Sequence, residues 1–504
     1  MKALANQNIL VLGLGSSGLA LARWCARAGA QVTVADTRPA PPQLQALRTS
    51  VPDATFVQSE MHESLLAKTG AVPFDLLLKS PGLSPAAVAG VVAAAQAGGV
   101  ACGNELSLFA QALADLKADQ GYAPQVIAIT GTNGKTTVTS LTGQLVQRAG
   151  KSVAVAGNIG PTLLDTLTEK LDAASLGEAL PDVWVLELSS FQLDGIKNFE
   201  PTVATVLNIT QDHLDWHETL AAYQAAKANV YGGTGVMLLN RNDPLLMTAL
   251  PPLVKGKQLR SYFTFGSDAP TRQGDYGIET VNGMAWLVRA LEADETFKRR
   301  KADEVVLHIQ RLMPLDALRI RGRHNATNAL AALGLAVAAG CSLAAMLHGL
   351  RDYRGEPHRV ESVGVIADVE YFDDSKGTNV GATVAALSGL GGERQLVLIL
   401  GGEGKGQDFS PLVEPVVRYT RAVVLIGRDA PLIRLALQGV SVPLLEAASM
   451  QEAVNLAQQQ ASAGDAVLMS PACASFDMFD NYEHRAQVFC EAVCALAREE
   501  GVML

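Results

Sequence analysis

Positive charge is in short supply in this sequence. Lys and Arg total 40 against 50 Asp and Glu, a formal net charge of −10 over 504 residues. Proteins that hold nucleic acid or an anionic membrane usually carry a basic excess, so neither partner is expected. Cysteine is sparse as well. Cys25, Cys102, Cys341, Cys473, Cys490 and Cys494 include no C-x-x-C pair, and no histidine accompanies Cys490 and Cys494 at metal-ligand spacing. Reduced, mostly buried thiols in a cytosolic protein are the expectation. No signal peptide is visible, since "MKALANQN" runs straight into a strand, which again points to the cytoplasm. Long apolar runs are missing too. The longest, "NALAALGLAVAAGCSLAAML" (328–347), is broken by Gly340-Cys341-Ser342 and reads as two packed helices of a soluble core, not a membrane span. Neither repeats nor low-complexity tracts are present.

What is abundant is core-forming material. Hydrophobic residues make up 48% of a chain too long for one ordinary domain, so two to four domains are expected. Three stretches share one grammar of apolar strand, glycine turn and helix: 8–36, 125–150 and 394–412. They imply parallel, doubly wound α/β sheets in three serial domains, Rossmann-like at both ends and an ATPase-like unit with a phosphate loop between. The boundaries are placed at 1–106, 107–355 and 356–504, the second inside the Gly/Pro-bearing "YRGEPHRVE". The charged run "EADETFKRRKADE" (292–304) reads as an exposed insertion.

The middle stretch contains "AITGTNGKTTVTSL". Its end fits the phosphate-loop pattern G-x-x-x-x-G-K-[ST] at Gly134, Lys135 and Thr136, but the pattern's first glycine falls on Ile129, with Gly131 two residues late. It is a degenerate match or a shorter loop. Either way, a glycine turn between strand and helix aims N–H groups at phosphate oxygens, with Lys135 reaching the terminal phosphates and the Thr136 hydroxyl a Mg²⁺ ion. Glu187 closes the apolar "VWVLE", while Asp212 and His213 lie just beyond "ATVLN". Ligands of open parallel sheets bind at such strand ends, and carboxylate and imidazole both suit Mg²⁺ or Mn²⁺. Near the amino terminus, "VLGLGSSG" with Asp36 some twenty residues on is a dinucleotide-type fingerprint, which alone suggests NAD.

"TGTNGKTT", "ELSSFQL", "NITQDHLDWH", "AAKANVY" and "RGRHNATNALAAL" resemble the central domain of the Mur ligases, ATP-dependent amide-forming enzymes of peptidoglycan precursor synthesis. Their phosphate loop has this shorter form. "VLGLGSSG", "ADTRP", "LKSPGL", "YFDDSKGTN", "GGEGKGQDF" and "SPACASFDMFDNYEHR" are similar to the branch that adds D-glutamate, and the D-N-P-R motif of the diaminopimelate-adding branch is missing.

The resemblance implies ligation of D-glutamate to UDP-N-acetylmuramoyl-L-alanine through an acyl phosphate, by a cytoplasmic monomer working on small molecules. It implies that ATP is held by Gly131, Thr132, Asn133, Gly134, Lys135, Thr136, Thr137, Asn328, Arg359 and Asp374. Two Mg²⁺ ions (or Mn²⁺) are implied, one on Thr136 and Glu187, the other on His213 and a carbamylated Lys227. Lys135, His213 and Lys227 are the implied catalytic group. The uridine diphosphate part falls to Ser16, Ser17, Asp36, Thr37, Arg38, Ser80 and Gly82, with Asn158 and His213 nearer the sugar and alanine. D-Glutamate, with two carboxylates, falls to Lys376, Thr378, Lys405, Ser475 and Tyr482. Ser16-Ser17, Glu403, Phe476 and Tyr482 depart from the familiar Leu-Thr, Asp, Leu and Phe. A related ligase of the same architecture, an NAD dehydrogenase built on residues 8–36 and a non-catalytic ATP-binding regulator are the rival readings.

Overall fold

Runs of Ile, Val and Leu with no polar alternation favour strands covered on both faces, and that is where the sequence puts them. A computed structural model describes residues 4–68, 73–255, 257–293, 306–392 and 394–502. The first domain is a five-stranded parallel sheet of Asn8–Leu12 (β1), Gln31–Asp36 (β2), Thr55–Gln58 (β3), Leu76–Lys79 (β4) and Ala101–Gly103 (β5), in the order β3-β2-β1-β4-β5. Helix α1 (Ser16–Arg27) follows β1 directly. Chain order reverses between β1 and β4, which opens a crevice at their carboxyl ends.

Helix α2 (Glu105–Gln120) leads into the central domain, so the boundary expected between 106 and 107 falls in its first turn. Asn104 caps it, accepting from the Ser107 N–H while its own N–H donates to the Ser107 hydroxyl. Phe109 on α2 meets Trp184 edge to face at 5.1 Å, fastening the helix to the central sheet. That sheet comprises Gln125–Thr130 (β6), Val153–Gly157 (β7), Val183–Glu187 (β8), Val203–Val206 (β9), Val236–Asn240 (β10) and Tyr262–Phe265 (β11). It is parallel in the order β11-β10-β9-β6-β8-β7. Helices Lys135–Arg148 (α3), Leu163–Ser175 (α4) and Leu220–Ala228 (α5) connect its strands. Here β6 is the switch point, flanked by β9 and β8, so everything at its carboxyl end faces one crevice.

One antiparallel addition was not among the expectations. Tyr276–Val281 (β12), Met284–Glu292 (β13) and Leu307–Pro314 (β14) form a separate three-stranded sheet. The charged run at 292–304 lies between β13 and β14, and from residue 294 onward it is outside the described residues. Arg323–Ala338 (α6) and Leu343–Asp352 (α7) are the two packed helices read from the small-residue stretch, and most of α6 is buried.

The third domain orders Glu361–Ile366 (β15), Val369–Asp373 (β16), Leu396–Gly401 (β17), Thr420–Ile426 (β18), Leu444–Glu446 (β19) and Ala466–Met469 (β20) as β15-β16-β20-β17-β18-β19. It is parallel except for the β15–β16 hairpin. Val380–Leu390 (α8) packs toward the central domain and Tyr482–Glu499 (α9) closes the chain. Among the described residues no helix is long and apolar enough to cross a membrane.

Candidate active site

Gly134 takes φ 80° as the N-cap of α3, and Gly131 takes φ 153° where the loop leaves β6. A Cβ on Gly131 would sit 3.0 Å from Leu207, and one on Gly134 would sit 2.9 Å from Asn328 Oδ1. Glycine is therefore required twice, for backbone angle and for clearance. Lys135 folds back over its own loop, its Nζ donating to the Gly131 carbonyl at 2.9 Å and the Thr132 carbonyl at 2.8 Å. Thr137 is buried in the first turn of α3.

Lys227 reaches the same loop from α5. It is 2% exposed, donates to Gly131 O at 2.8 Å and Thr130 Oγ1 at 3.3 Å, and lies over the Tyr223 ring at 4.6 Å. Burial, then the neighbouring Lys135, push its pKa well below the usual lysine value, while Asp212 and Glu187 oppose. Lys135 is lowered by the same main cause, with Glu187 opposing.

Glu187 ends β8, 1% exposed. Asn158 Nδ2 donates to its Oε1 at 2.8 Å, and its Oε2 has no hydrogen-bond partner among the described residues. A buried orphan oxygen beside a phosphate loop is what a bound divalent cation uses. Thr136 faces the same crevice and accepts a hydrogen bond at 2.9 Å from Arg359, which arrives from the third domain. These groups fit a hard metal. The Lys227 ammonium offers no lone pair and fits a second ion only once carbamylation has made it an anion. His213 takes φ 53° and is half exposed. It packs edge-on against Phe191 at 4.8 Å, and its Nε2 lies 3.6 Å from Asp212. Burial lowers its pKa, with Asp212 opposing.

Asn328, Arg359 and Asp374 line one cavity of about 220 Å³ with Asn133 and Gly134, between the central and third domains. Burial raises the Asp374 pKa to about 7, although Ser470 Oγ donates to its Oδ2 at 2.6 Å. A larger hollow, about 890 Å³, is lined by Asn8, Gln31 and Asp53 and lies away from the carboxyl strand ends where the candidates gather. Chemistry, not size, singles out the smaller one.

In the first domain, Gly13 takes φ 83°, Gly15 has open space beside it, and a Cβ on Gly18 would collide with Gly13 O at 2.0 Å. The three glycines thus allow a tight turn, leave open space beside the loop and permit a close helix contact. Asp36 binds its surroundings fully: it accepts from Leu14 N at 2.8 Å, Arg38 N at 3.0 Å, Arg38 Nε at 2.9 Å and Arg38 NH2 at 2.8 Å. Those bonds, led by the Arg38 guanidinium, hold its pKa at about 2. Ser16 and Thr37 are exposed, Ser17 is half-buried, and Ser80 is buried against Gly13 with Gly82 open just beyond. Asn158 sits apart from this group, on Glu187.

The third-domain candidates follow the carboxyl ends of β16, β17 and β20. Lys376 Nζ lies 3.6 Å over the Tyr482 ring, and Thr378 is half-buried two residues on. Burial and then Arg359 lower the Lys376 pKa, with Glu483 and Glu187 opposing. Lys405 is exposed, 6.0 Å from the Phe476 ring, while Ser475 is buried. Lys376 therefore joins the phosphate-loop charges, whereas Lys405 stands at the outer lip. Sequence reasoning did not single out Arg485, which is buried and donates to Ser375 O at 2.8 Å and Cys473 O at 3.0 Å, locking two of these loops together. It also passed over His217, whose Nε2 meets Ser190 Oγ at 2.9 Å and whose pKa burial lowers to about 4. Both residues stand inside the quoted motifs, but nothing in the sequence names their partners.

Three family models match in series: "Mur ligase MurD-like, N-terminal domain" over residues 7–103, "Mur ligase middle domain" over 129–336, and "Mur ligase, glutamate ligase domain" over 358–473. A UDP-N-acetylmuramoylalanine--D-glutamate ligase of Albidiferax ferrireducens is 66% identical, covering 99% of this chain and 98% of its own. One of the same name from Ralstonia nicotianae is 57% identical, covering 99% of each. Among solved structures, the MurF ligase of Thermotoga maritima in complex with ADP aligns with TM-score 0.56 at 15% identity over 99% of this chain and 97% of its own. The MurC ligase of the same organism aligns with TM-score 0.52 at 19% identity over 97% and 100%. These two likenesses speak for the fold.

Proposed function

The chain belongs to the Mur ligase family, and from that premise we propose that it joins D-glutamate to UDP-N-acetylmuramoyl-L-alanine using ATP. The observation that carries this reading is the convergence of Lys135, Lys227, Arg359 and Lys376 on the surroundings of Glu187, in a chain 66% identical over its length to a ligase of that activity. Three cations, a buried amine open to carbamylation and one orphaned carboxylate oxygen suit a crowd of phosphate oxygens with metal among them.

The alanine carboxylate attacks the γ-phosphate, giving an acyl phosphate and ADP. The D-glutamate amine then attacks the acyl carbon and phosphate leaves. A free carboxylate is a poor electrophile, so the first step is indispensable. Lys135 leaves its two loop carbonyls for the terminal phosphate oxygens and offsets the charge that grows on them. Gly131, Thr132, Asn133, Gly134, Thr136 and Thr137 cradle the phosphates, while Asn328, Arg359 and Asp374 hold the rest of the nucleotide. Bound Mg²⁺ or Mn²⁺ supplies further charge neutralisation, with Thr136 and Glu187 as one set of holders and His213 and carbamylated Lys227 as the other. Ser16, Ser17, Asp36, Thr37, Arg38, Ser80 and Gly82 take the uridine diphosphate part, with Asn158 and His213 toward the sugar and alanine. Lys376, Thr378, Lys405, Ser475 and Tyr482 take D-glutamate. Units 1–106, 107–355 and 356–504 divide the three substrates, and the reaction runs in the cytoplasm on a monomer.

The test is phosphate release with ATP, UDP-N-acetylmuramoyl-L-alanine and either D- or L-glutamate. D-Glutamate is expected to drive release in step with amide formation. Equal use of L-glutamate, or no glutamate-dependent release, sinks the reading.

A further inference from the structure

Where the central and third domains meet, two asparagines exchange side-chain hydrogen bonds. Asn133 Nδ2 donates to Asn379 Oδ1 at 3.2 Å, and Asn379 Nδ2 donates to Asn133 Oδ1 at 3.0 Å. The first belongs to the phosphate loop, the second to the turn that carries Lys376 and Thr378. Asn379 Nδ2 also reaches Asp212 Oδ2 at 3.4 Å, next to His213, and its Oδ1 accepts the Ala382 N–H at 2.9 Å as the N-cap of α8.

Both ends are braced. Asn133 N–H donates to Asn208 Oδ1 at 2.8 Å, and Asn208 Nδ2 returns a bond to Asn133 O at 3.0 Å. The loop asparagine is thereby tied to the segment leaving β9. On the other side, Lys376 N–H is held by His358 O at 3.1 Å. The two surfaces seat closely: a Cβ on Gly381 would lie 2.6 Å from Thr210 Oγ1.

Capping alone does not account for asparagine at 379, because Ser, Thr and Asp cap as well. Of these four, the amide alone accepts two bonds on its oxygen while donating two from its nitrogen. Here all four sites are used. The Asn133–Asn379 pair itself is uncharged and worth roughly 1 kcal/mol per bond, which suits a junction made and broken once per turnover.

We propose that Asn379 is a positioning residue that docks the amino-acid domain onto the phosphate loop through Asn133 and brings segment 376–378 up to the acyl phosphate formed beside Lys135. This rests on the ligase reading above. The test is steady-state kinetics on Asn379→Ser, which keeps the helix cap but cannot make the reciprocal pair, on Asn133→Ala, and on the double variant, all at saturating ATP. Asn379→Ser is expected to raise KM for D-glutamate about tenfold and to release phosphate in excess of amide, because a badly docked domain leaves the acyl phosphate open to water. KM for the UDP-substrate and Tm should stay put. Asn133→Ala should reproduce the D-glutamate effect, and the double variant should be no worse than the poorer single one. An unchanged D-glutamate KM with one phosphate per amide in Asn379→Ser overturns the proposal, as do effects that simply add. If Asn379→Ser does not fold, an unchanged D-glutamate KM in Asn133→Ala overturns it. A wild-type enzyme inert toward D-glutamate brings down the ligase reading beneath; an active wild type beside an indifferent Asn379→Ser brings down this inference alone.

Discussion

Two glycine loops open two domains of this chain, and they are built differently. The loop at Gly13–Gly18 carries no lysine. Its nearest candidate cation, Arg38, is already spent on Asp36 through two side-chain bonds. The loop at Gly131–Gly134 is followed at once by Lys135, and Lys227 and Arg359 arrive from α5 and the third domain. Both loops offer N–H groups at a helix start, which suffices to hold a phosphate ester that does not change. Transferring a phosphoryl group asks for charge that responds as negative charge builds, and that is what the second loop adds. On the proposed function, the same strand–turn–helix grammar serves a grip in one domain and a reaction in the next.

Removing the reactive loop's own cation should break the comparison most severely. Lys135→Ala is expected to lower kcat by orders of magnitude with little change in Tm, since the lysine's bonds are to loop carbonyls at a half-buried site. Near-normal phosphate release would reduce the second loop to a grip like the first. Lys227→Ala comes next. A buried amine with a strongly lowered pKa is available for carbamylation by CO₂. The alanine variant should be nearly inactive, and acetate should partly restore it by supplying the missing oxygens. Full activity without acetate ends the carbamate idea.

A smaller effect should separate the third domain from both loops. Lys376→Ala and Lys405→Ala are expected to raise KM for D-glutamate and leave the UDP-substrate KM alone. Lys376 should matter more, because it is stacked on Tyr482 among the phosphate-loop charges while Lys405 is exposed. Loss of UDP-substrate affinity with an unaltered D-glutamate KM would reverse the division of labour.

The loops, the strand–turn–helix unit within each sheet and the strand-end acids were legible because each is written within some thirty consecutive residues. Gly134, Lys135 and Thr136 announce themselves by spacing, and Glu187 by ending an apolar run. The antiparallel sheet at 276–314 was not legible, since Tyr276, Gly277 and Ile278, and again Leu287 and Val288, are buried in succession instead of alternating, and the charged run interrupts the segment. Partnerships across domains were illegible for a simpler reason. Asn133 and Asn379 are 246 residues apart, and Arg359 and Thr136 are 223 apart. Residue type suggests what each can bond, but only the packing of three domains says with whom. Lys227 shows the point well: a long lysine on a helix usually reads as solvated, and here it is among the largest fully buried side chains of the described residues.

The gentlest way to sharpen the comparison is to weaken the grip itself. Asp36 gathers four donors, yet only one of its oxygens would remain an acceptor in Asp36→Asn. The carboxylate's pKa falls from 3.8 to about 2 on folding, chiefly through the Arg38 side-chain bond. A group whose folded pKa is depressed stabilises the fold above its unfolded pKa and loses that contribution as pH falls through the folded one. Arg38 is half exposed, so screening trims the gain to about 1–2 kcal/mol at neutral pH. Urea unfolding should therefore find Asp36→Asn less stable by that amount at pH 7, with the gap narrowing as pH drops from about 5 toward 2. The first domain should also hold the UDP-substrate less well, since Leu14 N–H and Arg38 are both positioned by this acid, while kcat at saturation changes little. A stability gap that ignores pH would assign Asp36 to shape alone and remove charge from the account of the first loop. A fall in kcat as large as that of Lys135→Ala would erase the distinction between the two loops altogether.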